Sequence, residues 1–263
     1  MQLGIENKVA LVTAASKGLG KAAALALSAE GARVAIAARG TETLRAAARE
    51  IAQATGGTVL PVRADVSVAA DLEALVTEVE SAWGPVDILV NNAGGPRPGV
   101  FTDMQEQDWA TAVELNLMSA IRLIGKLLPG MRARRWGRII NITSTAVKQP
   151  IPDLILSNTV RSGLVAMSKT LADQVAADGV TVNNVCPGYM DTDRVRALNS
   201  AAAQAQGVSV EEVLARTVAA IPAGRIGRPD ELAALIAFLA SEQAAYITGT
   251  TIQVDGGRYR GLM

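Results

Sequence analysis

The sequence predicts a doubly wound α/β fold on a seven-stranded parallel sheet, and three observations carry that prediction. Short apolar runs alternate with longer segments of helical pattern along the whole chain. Most runs are near-continuously apolar instead of alternating with polar residues, as strands buried on both faces are. Helix-length crossovers separate the runs, which is the connection that parallel strands need.

The first run, VALVTA (9–14), leads directly into TAASKGLGKAAALAL (13–27), where Gly18 and Gly20 fall at the turn into a helix over 18–30. RVAIAA (33–38) and a helix over 41–54 follow, then TVLPVRA (58–64) and a helix over 68–83. In that helix Leu72, Leu75, Val76 and Val79 form an apolar stripe, with Asp71 and Glu73 in the early turns. VDILVNN (86–92) precedes a long helical segment over 105–133, RIINIT (138–143) precedes another over 153–177, and TVNNVCP (181–187) is the sixth run. The segment 193–228 departs from the alternation, being helical in composition but interrupted by Gly207 and Pro222. It follows a strand end, where open α/β sheets bind ligands, so it reads as a small helical lid over a substrate. A helix over 229–241 and TIQVD (251–255) complete the pattern. No linker, low-complexity tract or repeat divides the chain, so 1–263 is read as one domain with 193–228 inserted in it as the lid.

Composition narrows the function. Lys plus Arg equals Asp plus Glu at 25 each, which argues against electrostatic binding to nucleic acid or membrane. The chain has no histidine and a single cysteine, Cys186, so His triads, His-ligated zinc, internal disulfides and Cys-cluster metal sites are all excluded, and no metal is expected. Aromatic residues are only 3%, so a core must rest on Ala, Val, Leu and Ile. The start, MQLGIENKVALVT, has no basic-then-apolar signal, and no stretch approaches the roughly 20 apolar residues of a membrane span, so a cytoplasmic protein is expected.

The glycines of the first turn lack Cβ atoms and let backbone N–H groups approach a pyrophosphate at a helix start. A GxG alone is weak; here it follows the first strand and opens a helix within a βαβ unit, the context of a dinucleotide site. An acid commonly ends the second strand to bond the ribose hydroxyls of NAD. Instead Arg39 stands there, 19 positions beyond Gly20, and Lys17 lies inside the glycine turn. Two cations converging on one ribose suit a 2′-phosphate, so NADP(H) is favoured over NAD(H).

With these motifs on the page, the chain resembles the short-chain dehydrogenase/reductase family over essentially its full length, with a pattern closest to the β-ketoacyl-carrier-protein reductase-like members. The resemblance rests on TAASKGLG (13–20, with Ala14 where the family usually has Gly), ADV (64–66), NNAG (91–94), ELNLMSA, GRIINITS, NNVCPGYMDT (183–192), RIGRPDELA (225–233) and TGTTIQVDGG (248–257). It implies a Rossmann-type cofactor site in which Asp65 bonds the adenine amino group, Asn91 and Ala93 line the cofactor and Thr192 holds the nicotinamide amide. Thr13, Ser16, Leu19, Val66, Asn92, Gly94, Pro187 and Gly188 belong to the same motifs and are expected along the same cofactor. The resemblance further implies a homotetramer, or a homodimer, built partly through 105–133 and 153–177.

In this family a Ser that steadies the substrate oxygen is followed by a Tyr that moves the proton and a Lys that tunes the Tyr and bonds the nicotinamide ribose, while an earlier Asn helps hold a water relay. Asn116 and Ser144 match. Thirteen residues beyond Ser144, at the Tyr position, stands Ser157, and four further, at the Lys position, stands Arg161. Arginine keeps a permanent charge and several donors, in a different geometry. Serine is the graver change, because a tyrosine titrates near about 10 and an aliphatic hydroxyl is far less acidic. Candidate substitutes are Tyr189 in PGYMDT, with Lys148 and Asp153 flanking the loop after Ser144, while Arg97 in GGPRPG could clamp a substrate carboxylate or phosphate. Tyr246 and Tyr259 read as interface packing.

Three readings stay open. The first is an NADP(H)-dependent oxidoreductase of a small-molecule carbonyl, alcohol or imine with an atypical proton-transfer group. The second is a catalytically impaired nucleotide-binding sensor or oligomer partner. The third is a non-redox lyase or isomerase, against which stands the retention of Gly18, Gly20, Lys17 and Arg39.

Overall fold

The computed structural model describes residues 2–262, so Met1 and Met263 of the expected 1–263 domain lie outside the described residues. The strands are β1 (Val9–Thr13), β2 (Arg33–Ala38), β3 (Val59–Arg63), β4 (Ile88–Asn91), β5 (Gly137–Ile142), β6 (Val180–Pro187) and β7 (Thr251–Val254). They form one parallel sheet in the order β3-β2-β1-β4-β5-β6-β7. The helices are α1 (Gly18–Ala29), α2 (Thr41–Thr55), α3 (Ala69–Trp83), α4 (Glu106–Val113), α5 (Ser119–Ala133), α6 (Ile155–Val175), α7 (Asp193–Gln206), α8 (Val210–Ala219) and α9 (Pro229–Leu239).

The pleat sorts the continuous apolar runs into two cores. Ala10, Val12, Val34 and Ile36 face α1, α2 and α9, packing on Leu27, Leu44, Ile51 and Ile236. Val9, Leu11, Ala35 and Ala37 face α3, α5 and α6, packing on Leu72, Leu75, Leu123 and Val175. Both faces of the sheet are thus covered, which is why the strands show no polar alternation. Strand order reverses at β1, whose neighbours are β2 and β4, and this switch point opens the crevice where such sheets take ligands.

Two segments differ from expectation. The single helix expected over 105–133 is divided into α4 and α5 by a π-helical turn at Glu114–Met118. Inserting one residue into the helical ladder bulges the backbone, and such turns often present a side chain at a site; here the turn carries Asn116. Within the expected lid, α7 ends at Gly207, whose φ of +66° forms a left-handed cap, and α8 starts in a capping box between Ser209 and Glu212. Among the described residues no helix is long and apolar enough to cross a membrane, and no group of three or more His, Cys, Asp and Glu could hold a metal ion.

Candidate active site

The ends of β1 and β4 are locked together at the switch point. Thr13 Oγ1 donates to Asn92 O at 2.7 Å and accepts from Asn92 N at 2.8 Å. Asn92 Nδ2 donates to Ala14 O at 3.3 Å, so the second Asn of NNAG braces the glycine turn itself. Ala14 holds a φ of +46°, a left-handed conformation that a Cβ disfavours, and Gly18 follows at +58°. A Cβ at Gly20 would lie 2.5 Å from Ala14 O and 2.8 Å from Asn92 Nδ2, so only glycine lets the helix start close on the turn. Lys17, at the N-cap of α1, is exposed and makes no side-chain cap bond; Ser16 and Leu19 are half-buried beside it. Thr192 lies across the crevice with its Cγ2 3.6 Å from where a Gly18 Cβ would sit, and its Oγ1 caps α7 by accepting from Val195 N at 3.3 Å.

At the other end, Arg39 Nη1 stands 3.8 Å from Asp65 Oδ2, with the Arg39 side chain 76% exposed and free to swing onto a second anion. Asp65 Oδ1 accepts from Ser67 N at 3.0 Å and Ser67 Oγ at 2.7 Å. Partial burial raises the Asp65 pKa, but Ser67's two donors together with Arg39 and Arg63 outweigh it and hold the carboxyl below its ordinary value. Val66 is buried beneath this corner.

Asn91 begins a row of amides that sequence reasoning missed. Its Nδ2 donates to Asn141 Oδ1 at 2.8 Å, Asn141 Nδ2 donates to Ser168 Oγ at 3.0 Å and Asn184 Oδ1 at 3.1 Å, and Asn184 Nδ2 donates to Thr251 Oγ1 at 3.3 Å. The available signal was an asparagine inside each of three otherwise apolar strand runs. Asn116, turned inward by the π-turn, donates from Nδ2 to Gly94 O at 2.9 Å. Among the described residues Asn91 Oδ1 and Asn116 Oδ1 are buried and without a partner. Both residues line a cavity of ≈ 10 Å³ together with Thr13, Asn92, Ala93 and Arg161, about the room one water requires.

Ser157 and Arg161 share one face of α6, and each is buried at 7% exposure. Arg161 Nη1 donates to Ile142 O at 3.1 Å and Thr143 O at 3.2 Å, and Nη2 to Ala93 O at 3.5 Å. It makes no ion pair among the described residues. Burial, then the like charge of Arg194, pushes its pKa down to about 10, partly offset by Cys186, so it remains a cation at neutral pH. Ser144 Oγ accepts from Ala146 N at 3.1 Å, leaving its O–H to donate. Cys186 lies below, with Sγ 3.1 Å from Thr143 Oγ1, its thiol raised by burial. Pro187 ends β6, and Gly188 N donates to Val254 O at 2.9 Å.

The remaining candidates are placed less favourably for proton transfer. Tyr189 Oη donates to Asn199 Oδ1 of α7 at 2.5 Å, so its hydroxyl is tied to the helix above the crevice. Arg97 Nη1 is taken up by Asp103 O and Asp108 Oδ2, both at 3.0 Å, and is no free clamp. Lys148 Nζ lies 5.9 Å from the Tyr259 ring centroid, Asp153 is exposed and Tyr246 is fully so. A cation absent from the expected set, Arg194, reaches from α7 to Pro96 O at 3.5 Å.

The residues present suit a dinucleotide: a glycine turn opens α1 at the switch point, and a Cβ at Gly94 would meet no atom within 4 Å, leaving open space above that backbone. Residues 13–258 match a family model described as enoyl-(acyl carrier protein) reductase. The 3-oxoacyl-(acyl-carrier-protein) reductase of Vibrio cholerae serotype O1 is 40% identical over 257 residues, 98% of this chain and 99% of that protein. Its counterpart in Escherichia coli K12 is 38% identical, with the same coverage of 98% and 99%. Among solved structures, the L-sorbose reductase of Gluconobacter frateurii complexed with NADPH and L-sorbose superposes with a TM-score of 0.95, at 36% identity and 100% of both chains. Actinorhodin polyketide ketoreductase with NADPH gives 0.91, at 36% identity and 98% of each chain.

Proposed function

The chain belongs to the short-chain dehydrogenase/reductase family, among its β-ketoacyl reductase-like members, and on that footing we propose an NADP(H)-dependent oxidoreductase of a small carbonyl, alcohol or imine with an atypical proton-transfer group. One observation carries the reading: the glycine turn, Thr192 and Asn91–Gly94 meet at a single switch-point crevice, with the exposed cation Lys17 at one corner and the exposed Arg39 at another. When bound, the dinucleotide supplies or accepts the hydride.

The residues divide the remaining work. Backbone N–H groups at the start of α1 receive the pyrophosphate, and Lys17 and Arg39 bind the 2′-phosphate. Asp65 accepts from the adenine amino group, with Val66 beneath it. Asn91, Ala93, Pro187 and Gly188 line the nicotinamide end, and Thr192 takes its amide. Ser144 donates its O–H to the substrate oxygen, while Asn116 and Asn91 offer two acceptors to a water in the cavity beside Arg161. Arg161 supplies N–H donors and a fixed charge to the ribose. Ser157 keeps a hydroxyl on the same face of α6, but that hydroxyl is too weak an acid to take over tyrosine's role, which contributes roughly 10²–10⁴-fold. Substrates that need little proton help, such as an activated imine or an electron-poor carbonyl, suit such a site. A homotetramer or homodimer is the assembly we expect, and sedimentation velocity reads it directly.

The deciding experiment titrates the purified protein with NADPH and NADH, following nicotinamide fluorescence, and then follows NADPH consumption across a carbonyl and imine panel. Tight NADPH with weak NADH, and turnover on part of the panel, is the expected result. Binding of neither dinucleotide overturns the reading. NADPH binding with no turnover at all instead favours the second reading, a nucleotide-binding sensor or oligomer partner, which the serine and arginine at 157 and 161 support.

A further inference from the structure

Helix α7 stands over the crevice with little apolar surface beneath it. Of its 14 residues only Asn199 and Ala203 are buried, one turn apart on a single face. A lone methyl group contributes little burial, so α7 is not held by an apolar stripe as α3 is by Leu72, Leu75, Val76 and Val79. A buried amide is tolerated only where it is hydrogen-bonded. Asn199 therefore favours docking of α7 where its partner stands and opposes docking anywhere else.

That partner is a fixed post. Tyr189 O accepts from Gly227 N at 2.9 Å and Asp191 N donates to Gly227 O at 2.8 Å, so the chain entering the 193–228 segment is bonded to the chain leaving it. The Arg258 guanidinium faces the Tyr189 ring, 6.0 Å from its centroid. From this post Tyr189 Oη reaches Asn199 Oδ1 at 2.5 Å. A second contact ties the first turn of the helix: Arg194 lies over Gly95, where a Cβ would come 2.8 Å from its Nη2, and donates to Pro96 O at 3.5 Å.

The start of the helix faces the glycine turn. Thr192 is the N-cap residue of α7, with Oγ1 accepting from Val195 N at 3.3 Å and Cγ2 3.6 Å from where a Gly18 Cβ would sit. Asn199 lies close to two full turns beyond Thr192, so the two are about 10 Å apart along the axis and on nearly the same side. Over two turns a hydrogen-bonded helix moves as one body, which couples the docking of Asn199 to the place of Thr192.

We propose that Asn199 is a positioning residue for the nicotinamide end of the cofactor: it locks α7 to Tyr189 and, through the helix, holds Thr192 at the crevice. The inference deepens the oxidoreductase reading and rests on it for the place of Thr192 at the nicotinamide amide. Asn199 itself touches neither cofactor nor substrate. The adenine end is received by other elements, the start of α1 with Lys17 and the corner of Arg39 and Asp65, and does not depend on the lock.

The test separates the two ends. Hydrogen exchange of the free protein reads the lock. Calorimetric titration with NADPH, and with 2′,5′-ADP, which carries the 2′-phosphate but no nicotinamide, reads its effect on the cofactor. In Asn199→Ala and in Tyr189→Phe the amides of α7 should exchange about tenfold faster, as the loss of one buried hydrogen bond implies, while those of β4, β5 and β6 are unchanged. NADPH should weaken by up to about tenfold and 2′,5′-ADP by less than about twofold, and the double variant should lose no more than the worse single one, because both substitutions remove the same bond. Where Asn199→Ala fails to fold, Tyr189→Phe, which keeps the ring, decides. Unchanged exchange in α7, or losses that add, overturn the proposal. So do equal losses for NADPH and 2′,5′-ADP, since Asn199 would then support the crevice as a whole. A parent protein that binds neither ligand brings down the oxidoreductase reading and this role with it, whereas a parent that binds both, with variants that show no difference between them, brings down this role alone.

Discussion

Replacing Arg161 with lysine turns the buried cation into a titratable one. Its surroundings lower the arginine from its ordinary value to about 10. The ordinary lysine value is about 10.4, so the same burial and the same like charge would carry a lysine to roughly 8. A displacement of that size corresponds to about 3 kcal/mol held against the charged form. Two consequences follow in the Arg161→Lys variant. NADPH affinity, which on the proposed reading uses the charge at the ribose, should be near its plateau at pH 7 and fall about tenfold by pH 9, while the parent protein stays flat. Stability should move the other way. The folded-state pKa lies below the unfolded one, so between roughly pH 8 and 10 the unfolded chain binds the extra proton and stability rises with pH. The assays are fluorescence titration of NADPH and thermal melting, both from pH 6.5 to 10. A variant with a flat affinity profile and no gain in melting temperature over that range would show that position 161 is solvated, and the argument from burial would fail.

Four further outcomes are expected. Changing Lys17 and Arg39 together to Ala should weaken NADPH about 100-fold and NADH less than about twofold, because each exposed cation near 4 Å from a phosphate of about −1.5 to −2 charge contributes roughly tenfold under aqueous screening; equal losses for both dinucleotides would place the 2′-phosphate elsewhere. Ala14→Gly relieves the φ of +46°, worth about 1 kcal/mol against a comparable or smaller gain in unfolded-chain freedom, so calorimetry should show a melting temperature unchanged or raised by about 2 °C. Tyr189→Phe should lower kcat by less than about tenfold, since the hydroxyl is bound to Asn199; a loss of roughly 10²-fold or more would make Tyr189 the proton donor. Asp65 is held below 3.8 in the folded state, so its stabilising effect is complete above that pH and lost as pH falls through the lower folded value. Asp65→Asn should therefore melt below the parent at pH 7, with the gap closing in acid, and a gap that persists at the acid end would count against it.

The strands were legible because each is an apolar run bounded by turn residues, and the sheet's direction followed from the helical crossovers between them. The π-turn was not, because one inserted residue scarcely alters the apolar spacing of 105–133. Asn116 was nevertheless anticipated by family resemblance, though not the backbone bulge that turns it inward. The placement of Lys17 in the glycine turn and of Arg39 after the second strand was legible because both are fixed points of the fold. Arg194 was not, since a cation in a helical segment rich in alanine and charge carries no mark of the direction in which it points. Only the backbone of Gly95, far away in the chain, reveals that direction. The committed hydroxyl of Tyr189 was hidden for the same reason: its acceptor, Asn199, lies a full helix turn and more into α7.

The row of amides has a consequence for folding fidelity. Asn91 stands opposite Asn141, and Asn141 opposite Asn184, in the strand register itself. Valine, isoleucine and leucine flank them on every strand, and such residues are nearly interchangeable, so hydrophobic burial alone does little to mark one alignment of β4, β5 and β6 over a neighbouring one. Slide β5 by a single residue and the Asn141 amide turns to the opposite face of the sheet, stranding its partners among aliphatic side chains at about 1–3 kcal/mol for each group left unbonded. The amides act as an alignment key cut into the strands. The crevice lies beside that key, since Asn91, its first member, is followed directly by Asn92, whose backbone bonds Thr13 at the end of β1.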